Sequence, residues 1–264
     1  MIELQDLVKR FGDLAAVDHL DLTVQPGEFF GVLGPNAAGK TTTIKMIVGL
    51  IRPTSGTVRV CGMDVQEQPV EVRRRLAYVP DFPFLYDKLT PMEFFRFTGN
   101  LFGMEEKHMD DRIRELIPRF SLDSYLDLTI ESLSHGTRQR IAIVSALMHD
   151  PEVFVLDEPM VGLDPHHARV LKDVLRECAT AGMTIFLSTH QLSVAEEMAD
   201  RIGIIHNGKL VGCGTKDELR DLAGTGGALE ETFLTLTREE ENSEEMELRQ
   251  LHQETDRAPA ATGD

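Results

Sequence analysis

Residues Gly34-Pro35-Asn36-Ala37-Ala38-Gly39-Lys40-Thr41-Thr42 follow an apolar run, Glu28 to Leu33, and open a helix-patterned stretch, Lys40 to Leu50. The pattern is G-x-x-x-x-G-K-[ST] set between a buried strand and a helix, and it leaves few folds open. Successive backbone N–H groups at such a turn form a concave nest, and the positive end of the helix dipole points into it. Lys40 adds a point charge that reaches the outer phosphates of a bound polyphosphate, and Thr41 offers a hydroxyl to Mg²⁺. A second site is predicted at Val153-Phe154-Val155-Leu156-Asp157-Glu158-Pro159, where four apolar residues run into two carboxylates. A buried strand ending this way delivers its acids to the carboxyl edge of a sheet, where α/β folds bind ligands. Asp157 is placed to hold Mg²⁺ through water and Glu158 to polarise an attacking water.

The rest of the chain fits an α/β fold. Strand-like alternation covers the first 30 residues, through Ile2, Leu4, Leu7, Val17, Leu20, Leu22 and Val24. From about Pro91 to Met148 the pattern is helical, with Thr90 as N-cap, a second stretch at Met109 to Phe120 and a third at Thr137 to Met148. The β/α rhythm then returns: Val153 to Leu156, Pro165 to Ala181, Thr184 to Ser188, Leu192 to Ala199 and Ile202 to Ile205. A mainly parallel sheet covered by helices is expected. Asn207-Gly208 signals a hairpin, and Thr215 to Glu218 a capping box.

Charge and hydropathy narrow the function. The 264 residues carry a net charge of −17, which disfavours non-specific binding to nucleic acid or to an anionic membrane face. No apolar run approaches the ~20 residues that span a bilayer, and Met1-Ile2-Glu3-Leu4 lacks the features of a signal peptide. A location where the chain is made, in the cytoplasm, is expected. Cys61, Cys178 and Cys213 are isolated and odd in number, which suits free thiols in a reducing compartment.

Between the two phosphate motifs lies Leu133-Ser134-His135-Gly136-Thr137-Arg138-Gln139-Arg140, which resembles the L-S-G-G-Q signature of ATP-binding cassette (ABC) transporter ATPases. Gly162-Leu163-Asp164 is similar to the family's D-loop, His190 to its switch histidine, and Phe11 to its adenine-stacking aromatic. The resemblance covers about Ile2 to Thr237. It implies a P-loop fold with a RecA-like core sheet, an N-terminal antiparallel β subdomain and an inserted α-helical subdomain. The implied division is an ATPase domain over residues 1–236, with core and β subdomain at about 1–80 and 151–215, the helical insert at about 81–150, and an acidic tail at 237–264. ATP and Mg²⁺ are the implied cofactors. Phe11, Gly34, Pro35, Asn36, Ala37, Ala38, Gly39, Lys40, Thr41, Thr42, Ser134 and Gly136 would contact nucleotide, Thr41, Asp157 and Asp81 the metal, and Glu158 and His190 the reacting water and γ-phosphate. Two such domains would pair head to tail, as a homodimer, each ATP lying between one subunit's Lys40 loop and the other's signature. Ser134 and the Gly136 N–H, at a helix opening at Thr137, would supply that second anion site. A separate transmembrane permease would hold the chain on the inner face of the membrane. The short signature and Ala228 to Leu234 look most like ABC-2 exporters, and a soluble mechanochemical ATPase and a low-turnover ATP switch remain open alternatives.

Four positions depart from the family pattern. Ala37 replaces a common glycine, a harmless change at negative φ. His135 and Thr137 replace a glycine and the glutamine of the signature. The His135 imidazole is expected to face solvent or the partner, with a bond to phosphate as the alternative. Asp81, after Tyr78-Val79-Pro80, stands in place of a glutamine that approaches Mg²⁺. Its shorter, charged side chain would reach the metal through a water and strengthen the negative field around Asp157 and Glu158. Phe94, Phe95, Phe97, Leu101 and Phe102 read as helical core and docking surface, and His166 and His167 lack the spacing of a metal site.

Overall fold

The computed structural model describes residues 1–224 and 229–238. In chain order its elements are β1 (Ile2–Phe11), β2 (Leu14–Val24), β3 (Phe29–Leu33), α1 (Lys40–Ile47), β4 (Ser55–Val60), β5 (Met63–Asp64), α2 (Pro69–Arg75), β6 (Leu76–Val79), α3 (Pro91–Leu101), α4 (Glu106–Arg119), α5 (His135–Leu147), β7 (Val153–Asp157), α6 (Pro165–Thr180), β8 (Thr184–Thr189), α7 (Leu192–Met198), β9 (Arg201–His206), β10 (Lys209–Gly214) and α8 (Lys216–Leu222). Residues 229–238 are helical again. Ala228 and the acidic stretch from Glu239 onward lie outside the described residues.

Two sheets carry the fold. One is antiparallel, in the order β2-β1-β4-β5; the other has six strands in the order β10-β9-β3-β8-β7-β6. Within the second, β6, β7, β8, β3 and β9 run parallel, and only β10 pairs antiparallel, across the Asn207-Gly208 turn. Every residue of β3, β7 and β8 is buried, as expected of parallel strands covered on both faces. Alternate side chains of these strands enter different cores. Phe29, Leu33, Phe154, Leu156, Ile185 and Leu187 pack with the helical layer, including α3, α4 and α5. Phe30, Val32, Val153, Val155 and Phe186 pack with β1, β2, β4 and α1. The Phe30 and Phe186 rings stack at 5.7 Å. Full burial of one such ring stabilises by about 1.5–3 kcal/mol, and a one-residue slip in register would send every side chain into the wrong core, so the register is fixed.

Local chemistry sets the helix ends. Thr90 and Glu93 form a reciprocal capping box that starts α3 at Pro91, and Thr215 and Glu218 do the same for α8. Helix α1 ends at Ile47 rather than at Leu50, because Gly49 at φ 70° turns the chain and lets the Leu50 N–H bond back to the Lys45 carbonyl at 2.8 Å. Helix α4 opens at Glu106, three residues before Met109, with an acidic first turn facing the helix dipole. Helix α5 begins at His135, two residues earlier than its apolar pattern suggests, because Ser134 is the N-cap and its Oγ accepts the Thr137 N–H. The three cysteines are free and half-buried, and burial pushes their thiols up, Cys61 to about 11, which leaves them poor nucleophiles.

Candidate functional site

Strand β3 ends at Leu33, and the chain from Gly34 to Gly39 curls over its carboxyl end before α1 begins. Gly39 caps α1 at φ 109°, and the Ala16 carbonyl of β2 lies where its Cβ would be, so only glycine fits. Lys40 is buried, and its Nζ donates to the carbonyls of Gly34 at 2.7 Å and Pro35 at 2.9 Å. Burial lowers its pKa, while the carboxylates of Glu158 and Asp157 oppose that shift. Thr41 Oγ1 donates to Asp157 Oδ2 at 2.9 Å, joining α1 to the end of β7. Asp157 is itself buried.

Glu158 follows with φ 50°, a left-handed conformation held by a bond from its N–H to the Ser188 carbonyl. This turn aims the side chain at His190, whose Nδ1 lies 2.9 Å from Glu158 Oε1. His190 itself is 53% exposed at the end of β8, so its other ring nitrogen is free to meet a ligand. A cleft of about 180 Å³ collects these groups, lined by Ala16, Asn36, Ala37, Ala38, Gly39, Lys40, Thr41, Thr42, Asp81, Asp157 and Glu158. Asp81 is thus brought to the cleft from the end of β6. Together with Asp157 and burial it keeps the Tyr78 phenol protonated well above its usual range, burial being the main cause.

One expectation changes. Ala37 sits at φ 66°, not at negative φ. A Cβ in the left-handed region costs about 1–2 kcal/mol, which accounts for the glycine common at that place in the pattern. Ala37→Gly is therefore expected to stabilise the fold by about 0.5–1 kcal/mol after the added freedom of the unfolded chain is subtracted, raising the thermal midpoint by about 2 °C. A midpoint that falls would contradict this reading of the turn. His135 is half-exposed, its ring resting on the exposed Phe82 at 5.2 Å and against Gly162 of its own chain. Phe11, half-exposed beneath Lys9 Nζ, is not among the residues lining the cleft.

Ser134 and Gly136 also lie apart from that cleft, at the start of α5. Two participants were not legible in advance. Ala16 borders the cleft from β2, and Ser188 Oγ is buried beside Asp157 in the sheet without a hydrogen-bond partner. Neither carries a sequence signal, since each is placed only by strand pairing.

The sequence pattern that defines ABC transporters matches residues 17–161. Over 220 residues the chain is 39% identical to the probable multidrug ABC transporter ATP-binding protein YbhF of Escherichia coli, covering 83% of this chain and 38% of that one. It is 37% identical to the Nod factor export ATP-binding protein I of Cupriavidus metallidurans, covering 84% of this chain and 73% of the relative. Among solved structures, an ATP binding subunit of an ABC transporter superposes with a TM-score of 0.86 at 34% identity, over 90% of this chain and 99% of the other. A phosphate cradle facing paired acids across one sheet edge, in a chain matched at this level on both sides of the signature, makes the protein a member of the ABC transporter family.

Proposed function

We propose that the chain hydrolyses ATP to energise an export transporter whose membrane-crossing part is a separate permease. One observation carries this reading: Lys40, the Thr41–Asp157 pair and the Glu158–His190 pair converge on one cleft at the carboxyl edge of the sheet. The residues suit ATP with Mg²⁺. Thr41 Oγ1 and Asp157 Oδ2, hard oxygens 2.9 Å apart beside the cradle, would hold the ion, Thr41 by its hydroxyl and Asp157 through a water. When bound, Mg²⁺ neutralises charge on the phosphates. Lys40 exchanges its carbonyl acceptors for phosphate oxygens, Gly34 to Thr42 cradle the polyphosphate, and Asp157 and Thr41 fix the metal. Glu158 takes the proton of the attacking water, and His190 orients that carboxylate and meets the γ-phosphate. Positioning and charge stabilisation dominate in such a reaction.

The separation of Ser134 and Gly136 from the cleft supports a head-to-tail homodimer, in which they contact ATP held by the partner. Phe11 would meet the adenine at the rim. Among the described residues no helix is long and apolar enough to cross a membrane. A groove of about 430 Å³ beside α3 is bordered by the exposed Phe84, Tyr86, Phe97 and Leu101, and its apolar rim supports docking of a permease there, on the cytoplasmic face. The acidic chain favours no nucleic-acid partner. Co-purification of a multispanning membrane protein, with ATP turnover and transport by the complex, tests this reading.

Asp81 makes a further difference measurable. Its charge near the metal contributes about 1 kcal/mol through water, so Asp81→Gln should raise the Mg²⁺ concentration at half-maximal turnover about fivefold and alter coupling to transport. Unchanged turnover, Mg²⁺ dependence and coupling would defeat this role.

A further inference from the structure

The signature helix carries a buried cation that the phosphate site does not use. Arg140, one turn into α5, is 6% exposed, yet its guanidinium touches no carboxylate directly among the described residues. It donates through Nη1 to the Phe120 and Ser121 carbonyls at 2.6 and 3.1 Å and through Nη2 to Thr137 Oγ1 at 3.1 Å. Nη1 also lies 3.0 Å from His167 Nε2, and His167 Nδ1 lies 2.6 Å from Asp164 Oδ2. Nη1 has two protons for these three neighbours, so one N–H is shared between a carbonyl and Nε2; because a guanidinium only donates, Nε2 accepts its share and Nδ1 carries the imidazole proton. That tautomer donates to Asp164, which stays ionised, held down to about 2 by the His167 backbone N–H and imidazole. Thr137 is buried, and its hydroxyl, which accepts from Arg140, lies 2.9 Å from Ser134 Oγ, a pair in which either oxygen can donate; donation by Thr137 gives its buried proton an acceptor. In that arrangement Ser134 Oγ, which also accepts the Thr137 N–H, turns its own hydroxyl proton outward from an exposed position.

We propose that Arg140 and His167 are positioning residues that turn the Ser134 hydroxyl into a donor for the partner subunit's ATP and tie the signature to the Asp164 turn of the same chain. This rests on the dimer reading above. The bonds join Asp164, His167, Arg140, Thr137 and Ser134, and donation runs outward from Arg140 along two arms, through His167 to Asp164 and through Thr137 to Ser134. Thr137 stands where the signature pattern has glutamine, and His167 lies outside the signature.

The test uses the full chain with Glu158→Gln, in which ATP-driven association is read by sedimentation over a range of protein concentrations. His167→Leu should weaken association about tenfold, the effect of one lost charge-assisted bond, while the affinity of the monomer for a fluorescent ATP analogue stays unchanged. His167→Gln, whose amide both accepts from Arg140 and donates to Asp164, should restore association to within about twofold. Thr137→Val breaks the relay at another atom and should match the leucine variant, which keeps the proposal testable even if His167→Leu does not fold. Association unaffected by Leu and Val, or equally weak with Gln, would overturn the relay. A parent that stays monomeric at saturating ATP would instead overturn the dimer reading, and the relay's role with it.

Discussion

Glu158→Gln lowers ATP turnover by about 100-fold or more while nucleotide binding stays within about twofold. A positioned base contributes on the order of 10²–10⁴ to a rate, and glutamine removes the basicity without removing the shape. The amide oxygen still accepts from His190 Nδ1 at the place where Glu158 Oε1 now lies. The left-handed turn at residue 158 is held by a backbone bond to Ser188 and does not depend on the side chain's charge. The variant should therefore bind ATP, close, and accumulate as a dimer that elutes ahead of the monomer only when ATP is present. Phosphate release near the parent rate would take Glu158 out of the base role, whatever the state of association.

Lys40→Ala has the second large effect, on binding rather than on chemistry. A charge-assisted bond to phosphate is worth about 1.5–3 kcal/mol, so affinity for ATP should fall roughly 10- to 150-fold, measured by titration calorimetry. Normal affinity in the alanine variant would contradict the cradle. The fold should tolerate the change. Burial lowers the Lys40 pKa, so the unfolded chain holds that proton more tightly than the folded one. The charge thus works against folding below the lowered value, and stability is regained as pH rises through it toward the ordinary lysine range. Removing the ammonium at neutral pH removes that opposition along with two hydrogen bonds to carbonyls.

The parts of the site that were legible in the sequence are those encoded within a few residues. The Gly34 to Thr42 turn, the acids after β7 and the caps at Thr90 and Thr215 each declare themselves by residue type at fixed spacing. The apolar runs of β3 and of β7 before Asp157 also announce buried strands. What stayed hidden depends on contacts between distant segments or on backbone angles. Ala37 gives no sign of its positive φ, because the angle is imposed by the closing of the turn. The start of α5 was misplaced because a serine cap reads as part of a motif. The contacts of His135 with Phe82 and Gly162 join segments far apart in the chain. Arg140 and His167 are 27 positions apart, and nothing local links them.

Strand β3 is a wall shared by two rooms. Phe29 and Leu33 bear on the helical layer, Phe30 and Val32 on the antiparallel sheet, and the Gly34 turn hangs from its end. A partner pressing on the helices therefore loads one side of this strand while the other side stays clamped. Any movement passed from the helices to the Gly34 turn along this strand would have to be accommodated by the antiparallel sheet on its other face.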